Sequence, residues 1–151
     1  MTNHKKVIAL PKAEPTLWRW YGIEYPSRYR PVDVWYRDEL SDEAKFAVRD
    51  ALKDAQKIDN PRNWVCFKRF MQGDLKKHKV WELQFDCGDN IPYRLLGVFG
   101  DERKQAIFII GCYHKGSTYT PTGALKTAYE RARDVKEKRV ALYERKIPTD
   151  Q

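Results

Sequence analysis

A chain of 151 residues, 42% hydrophobic and 13% aromatic, has the length of one domain and too many apolar side chains to stay disordered. Its net charge of +8 suits a polyanionic partner, most often nucleic acid, or a plain solvated basic surface. No apolar run approaches the roughly 20 residues of a membrane span, so no membrane partner is expected.

The basic start Met-Thr-Asn-His-Lys-Lys is followed only by Val7 to Leu10 before Pro11. That is too short for the apolar region of a signal peptide, and the cytosol is the expected compartment. Pro11, Pro15, Pro26 and Pro31 forbid a long helix in the first 40 residues. Trp18 to Tyr25 reads as a strand. Aromatic side chains crowd the stretch from Trp18 to Tyr36 and need burial, so this segment is expected inside the fold. Ser41 to Ile58 reads as a helix. Ser41 is its N-cap, Asp42 and Glu43 suit its positive end, and Ala44, Ala47, Val48, Ala51, Leu52 and Ala55 form one apolar stripe. Lys45, Arg49, Lys53 and Lys57 recur on another face, and Asn60-Pro61 ends the helix.

Residues 61–80 then carry six bases (Arg62, Lys68, Arg69, Lys76, Lys77 and Lys79) against the single acid Asp74. This stretch reads as a basic connection. Three strands follow. In Val80 to Phe85 the residues alternate, with Trp81, Leu83 and Phe85 facing one way and Glu82 and Gln84 the other. Ile91 to Phe99 is the second strand, after the turn Cys87-Gly88-Asp89-Asn90. Ala106 to Ile110, continuing to Tyr113, has the unbroken apolar character of a central strand covered on both faces. Thr120-Pro121 reads as the opening of a last helix, with Pro121 at its first position and an end near Tyr143. The order predicts an α+β fold: a small antiparallel sheet with helices packed on one face, leaving the other free for a site.

Phosphate loops, nucleophile elbows and paired metal-binding histidines are absent from the sequence, so neither a cofactor nor a metal is expected. Cys66, Cys87 and Cys112 lack Cys-x-x-Cys spacing and read as ordinary reduced residues. Arg94 lies within an otherwise apolar strand, where a buried guanidinium needs a partner. It can pair with Glu82 on the neighbouring strand or present a fixed cation to a phosphate. His114 ends the third strand beside Tyr113 and Lys115. It reads as a surface residue or as a general acid or base. Trp64, Phe67 and Phe70, interleaved with the bases, offer apolar support or base stacking.

From about Pro31 to Val135 the chain resembles the RelE/ParE toxin superfamily, nearest to its HigB-like, phage-derived branch. The resemblance rests on Pro-Val-Asp-Val-Trp-Tyr at 31–36, Val-Trp-Glu-Leu at 80–83, Pro-Tyr-Arg-Leu-Leu at 92–96, Ile-Ile-Gly-Cys-Tyr-His-Lys-Gly-Ser at 109–117, and Thr-Pro at 120–121 before a basic helix. It implies a RelE-like fold over one domain, 1–151. An N-terminal extension (about 1–30) and a charged C-terminal helix and tail (121–151) would flank the family core. It also implies a cytosolic toxin that arrests growth, is neutralised by a helix-turn-helix antitoxin, and cuts mRNA in the ribosome without a metal. The motif arginine corresponds to Arg94, and the strand-end residues to Tyr113, His114 and Lys115. Glu82 and Gln84 stand where some ribonuclease members have lysines.

The expected chemistry is attack of a 2′-hydroxyl on the adjacent phosphate. His114 would transfer the proton, Arg94 would hold phosphate charge, Lys115 would assist, and Tyr113 would stack on a base. Glu82 is a second proton acceptor in this scheme. Arg62, Lys68, Arg69, Lys76, Lys77 and Lys79 would hold the RNA backbone. The alternative is a non-enzymatic protein of the same fold that binds a host protein such as gyrase or serves as a repurposed phage regulator.

Overall fold

The computed structural model describes residues 16–146; the basic N-terminal start lies outside them. Strand β1 (Arg19–Glu24) is followed by helices α1 (Pro31–Glu39) and α2 (Asp42–Ala55). Next come β2 (Phe67–Phe70), β3 (Trp81–Phe85), β4 (Tyr93–Phe99) and β5 (Gln105–Lys115). The short strand β6 (Thr118–Thr120), helix α3 (Ala124–Lys136) and β7 (Ala141–Arg145) complete the elements of the described residues. The sheet order is β2-β3-β4-β5-β1-β7, with β6 hydrogen-bonded to the end of β5. β1 pairs with β5 in parallel, and every other pairing is antiparallel. The mixed α+β class holds, as does the central position of β5, whose first eight residues are buried.

Local signals explain most boundaries. Pro31 supplies the pre-set φ of a first helical turn in α1. The Ser41 hydroxyl accepts the Ala44 N–H at 3.1 Å, as an N-cap should. Asp86 and Asp89 carboxylates accept the N–H groups of Gly88 and Ile91, which closes the turn between β3 and β4.

Four expectations need correction. The basic connection hides β2, which pairs with β3 through a bulge between Phe67 and Arg69. Thr120-Pro121 does not open α3. Thr120 pairs with Tyr113 in the sheet, the Thr120–Pro121 bond is cis, and Gly123 at φ 85° caps the helix, a conformation only glycine adopts freely. The helix stops at Lys136 instead of Tyr143, because Lys138 turns left-handed (φ 58°). Residues 141–145 then form β7 against β1.

The helices also divide between the faces. α1 and α2 bury Val32, Trp35, Ala44, Val48 and Leu52 against Leu83, Leu95 and Phe108. α3 buries Ala124, Ala128 and Ala132 against Leu96, Ile107 and Ile109 on the other side. β5 is apolar at consecutive positions because both of its faces must be covered. The free surface is therefore the part of the second face that α3 does not reach. The aromatic residues near the N-terminus are buried as expected. Trp18, Trp20, Trp64 and Trp81 meet edge to face, with centroids 5.2–6.4 Å apart, a favoured arrangement.

On the first face α1 lies so close to β5 that a Cβ at Gly111 would sit 2.0 Å from the Trp35 ring. Gly111→Ala should lower stability by about 1–3 kcal/mol, the usual penalty of overpacking a core. A urea-denaturation midpoint equal to that of the wild type would show that α1 can shift to make room.

Candidate functional site

Pairing register decides which side chains meet. Arg94 lies opposite Gln84 on one side and Cys112 on the other, and Glu82 lies opposite Leu96. Directly paired residues share a face, so Glu82, Arg94 and His114 project from the same side of the sheet, the side that α3 covers in part. Tyr119 on β6 pairs with His114, and its ring packs against the imidazole at 4.6 Å between centroids.

Glu82 is the hub. It is fully buried and its carboxylate meets three donors. Arg69 Nε donates to Oε1 at 2.8 Å, and the Tyr119 hydroxyl donates to Oε2 at 2.7 Å. Arg94 Nη1 stands 3.3 Å from Oε2. That last contact pairs the charges but is poorly aligned as a hydrogen bond, and Arg94 Nε has no partner among the described residues. Arg94 is only 5% exposed. A guanidinium this deep requires a counter-charge, and Glu82 supplies it.

The other end of Arg94 reaches the open site. Its Nη2 lies 3.5 Å from His114 Nδ1. A guanidinium only donates, so Nδ1 turns its lone pair to Arg94 and the proton of neutral His114 sits on Nε2, an assignment from the donor. Burial lowers the His114 pKa below its usual value, and Arg94 lowers it further. Glu82 opposes that effect, and Arg69 and Lys68 reinforce it. Burial and the bond to Glu82 push the Tyr119 hydroxyl up, so it stays a donor at neutral pH. Burial pushes the thiol of neighbouring Cys112 up to about 12, which keeps it from acting as a thiolate.

The remaining residues separate. Tyr113 shares a strand with His114 but faces the opposite way. It packs on Tyr93 at 5.5 Å and its hydroxyl contacts the Glu39 carbonyl at 3.3 Å, at the end of α1. Lys115 is exposed where β5 ends. In the basic segment, Arg69 joins the Glu82 hub and Lys68 lies near enough to bias His114. Arg62 covers the Phe70 ring at 4.8 Å. Lys76 belongs to the 3-10 turn Gly73–His78. Lys77 and Lys79 line a cleft at the other end of the sheet, among Val98, Phe99 and Gly100. The bases adjacent in sequence are thus divided: Arg69 joins the hub, Lys77 and Lys79 lie at the other end of the same face, and Arg62 covers Phe70, which pairs with Trp81 on the opposite face.

Sequence reasoning missed Tyr119. It sits in a three-residue strand with no pattern of its own. The available signal was Gly116-Ser117, a turn pair that folds the chain back toward His114.

Residues 36–133 match the family described as phage derived protein Gp49-like (DUF891). β1 and β7, which pair with each other, both fall outside the matched stretch. No curated protein and no solved structure gives a significant match.

Proposed function

Because the chain belongs to the phage-derived Gp49-like family, part of the RelE/ParE-like toxin superfamily of toxin–antitoxin systems, we propose that it is the toxin of such a pair and cuts mRNA at the ribosome. A cognate antitoxin, a helix-turn-helix protein, would hold it in check. The observation that carries this reading is the pairing of Arg94 Nη2 with His114 Nδ1 at the uncovered end of the sheet. It puts a fixed cation and a proton acceptor within the span of one phosphodiester.

In this mechanism the phosphate draws Arg94 Nη2 away from the imidazole. The 2′-hydroxyl gives its proton to the freed Nδ1 lone pair and its oxygen attacks phosphorus. The bond from phosphorus to the 5′-oxygen breaks, leaving a cyclic phosphate, and the 5′-oxygen takes a proton from water beside the Lys115 ammonium. Tyr119, whose ring packs against the imidazole, orients it. Glu82 acts by position, holding Arg94, Arg69 and Tyr119, in place of the second proton acceptor first expected. Tyr113, on the far face, supports α1. Arg62, Lys68 and Arg69 hold the RNA backbone. The second reading, a binder of a host protein, draws on the same hub, since Glu82 already neutralises Arg94.

Single-turnover cleavage of a ribosome-bound message across pH tests the proposal. His114 acts as a base, so the wild-type rate should hold as pH falls through about 6.5, the ordinary histidine value, and drop only below it. His114→Gln should slow cleavage by about 10²–10⁴-fold while ribosome binding persists. Identical profiles for the two proteins would remove His114 from the chemistry. The same shift has a stability consequence: unfolding lets His114 bind a proton more readily, so its contribution is complete above about pH 6.5 and is lost as pH falls.

A further inference from the structure

The face that carries Arg94 has a concavity at its other end. α3 runs back from the His114 hairpin over roughly 18 Å at 1.5 Å per residue. Where it ends, a cleft of about 350 Å³ opens between its last turn, the 3-10 turn and the end of the sheet. Lys77 and Lys79 stand on one rim, and Lys136 and Lys138 on the other. All four are exposed. Lys138 meets an acid, Asp101 at 3.2 Å, in a pair open to solvent; the other three have no carboxylate partner among the described residues. The negative end of the α3 dipole accounts for lysines at its own C-terminus. It does not account for the pair that the 3-10 turn brings to face them.

Below the rims the cleft is lined mainly by apolar side chains, with the buried Gln105 among them. Val98, Ile107, Val135 and Val140 form its floor. His78 closes one side. Its ring packs against Tyr129 at 4.9 Å, and both ring nitrogens are buried without a partner among the described residues. An imidazole in that state is unsatisfied. Four ammonium groups and an unsatisfied imidazole around an apolar floor suit a ligand with a flat apolar part and several negative charges.

We propose that this cleft binds a nucleoside diphosphate, with the base on the apolar floor and the phosphates between the lysine rims. The volume falls in the range of small-molecule sites. A passing RNA strand suits it less. Asp101 lines the cleft and Glu137 lies close enough to act on His78, so a continuous phosphate track would meet acids. Burial, Lys136, Arg133 and Lys77 all disfavour protonated His78, with Glu137 opposing them. A bound phosphate would add a counter-charge to that set and favour the imidazolium.

The test is titration of the full chain at low salt with adenosine and guanosine diphosphate, pyrophosphate, and a short single-stranded RNA. The His78 ring signals are followed by NMR. At least one diphosphate should bind, shift the His78 signals, and bind more tightly than pyrophosphate. Lys136→Gln should weaken it by about tenfold, the loss of one charge-assisted hydrogen bond. Lys136 is exposed, so the variant keeps its fold, and a second variant, Lys77→Gln, should act alike. Four outcomes overturn the proposal: no diphosphate binding at millimolar concentration, pyrophosphate binding equally well, RNA displacing the nucleotide from the same lysines, or affinities unchanged in both variants.

Discussion

Glu82→Ala will lower the stability of the protein by about 3–5 kcal/mol, the usual result of removing one partner from a buried ion pair. The reason is what remains. Arg94, 5% exposed, would keep its charge with no counter-ion, and the Tyr119 hydroxyl would lose the acceptor it meets at 2.7 Å. Arg69 adds less, because its side chain is 46% exposed and water can replace its partner. The complementary variant separates charge from packing. Glu82→Leu combined with Arg94→Leu removes both buried charges and should recover most of the loss, since apolar replacement of a whole buried pair is often neutral or stabilising. Urea denaturation of wild type, single and double variants measures both effects. A loss under about 1 kcal/mol for Glu82→Ala would mean that the hub behaves as a surface ion pair.

The hub was partly legible in the sequence. Alternation through β3 placed Glu82 opposite Trp81 and Leu83, and the two adjacent strands allowed Glu82 and Arg94 to meet. Pairing register then put them in contact. What sequence could not supply was the set of neighbours from short or weakly patterned segments. β2 has four residues, and its two exposed bases look like part of a charge run, so Arg69 was grouped with Lys76, Lys77 and Lys79. Tyr119 reaches Glu82 only because Tyr113 to Lys115 and Thr118 to Thr120 form a hairpin. Tyr113 and His114 separate for a simple reason: neighbours on a strand point to opposite faces.

In the outer parts of the fold, local propensity and tertiary pairing disagree. Residues 137–145 are mostly charged or good helix formers, so continuation of α3 was the natural expectation. The sheet overrides it. β1 sits between β5 and β7, and without β7 it would present an unpaired edge. The N-terminal aromatic segment and the C-terminal tail therefore complete each other, although both lie outside the residues that match the family.

On the proposed mechanism, Arg94→Gln should reduce cleavage of a ribosome-bound message by about 10²–10³-fold, the usual effect of removing one preorganised donor from a developing charge. The loss should appear in kcat more than in KM. Lys68 and Arg69 would still attract the RNA backbone, whereas in the proposed mechanism Nη2 would meet the phosphate as its charge grows. The variant is also expected to be less stable, but less so than Glu82→Ala, because Glu82 keeps Arg69 and Tyr119 as donors. Folding alone therefore does not explain a lost rate, and the imidazole supplies an independent readout. Arg94 is one of the groups that lower the His114 pKa, after burial, while Glu82 raises it. Removing the guanidinium should move the His114 titration upward, toward its ordinary value but not past it, because burial is the larger cause and outweighs Glu82, and the acid limb of any residual cleavage should move with it. Wild-type cleavage by a folded Arg94→Gln protein would end the catalytic reading of the hub. Growth arrest by that variant without new mRNA ends would favour the binder of a host protein.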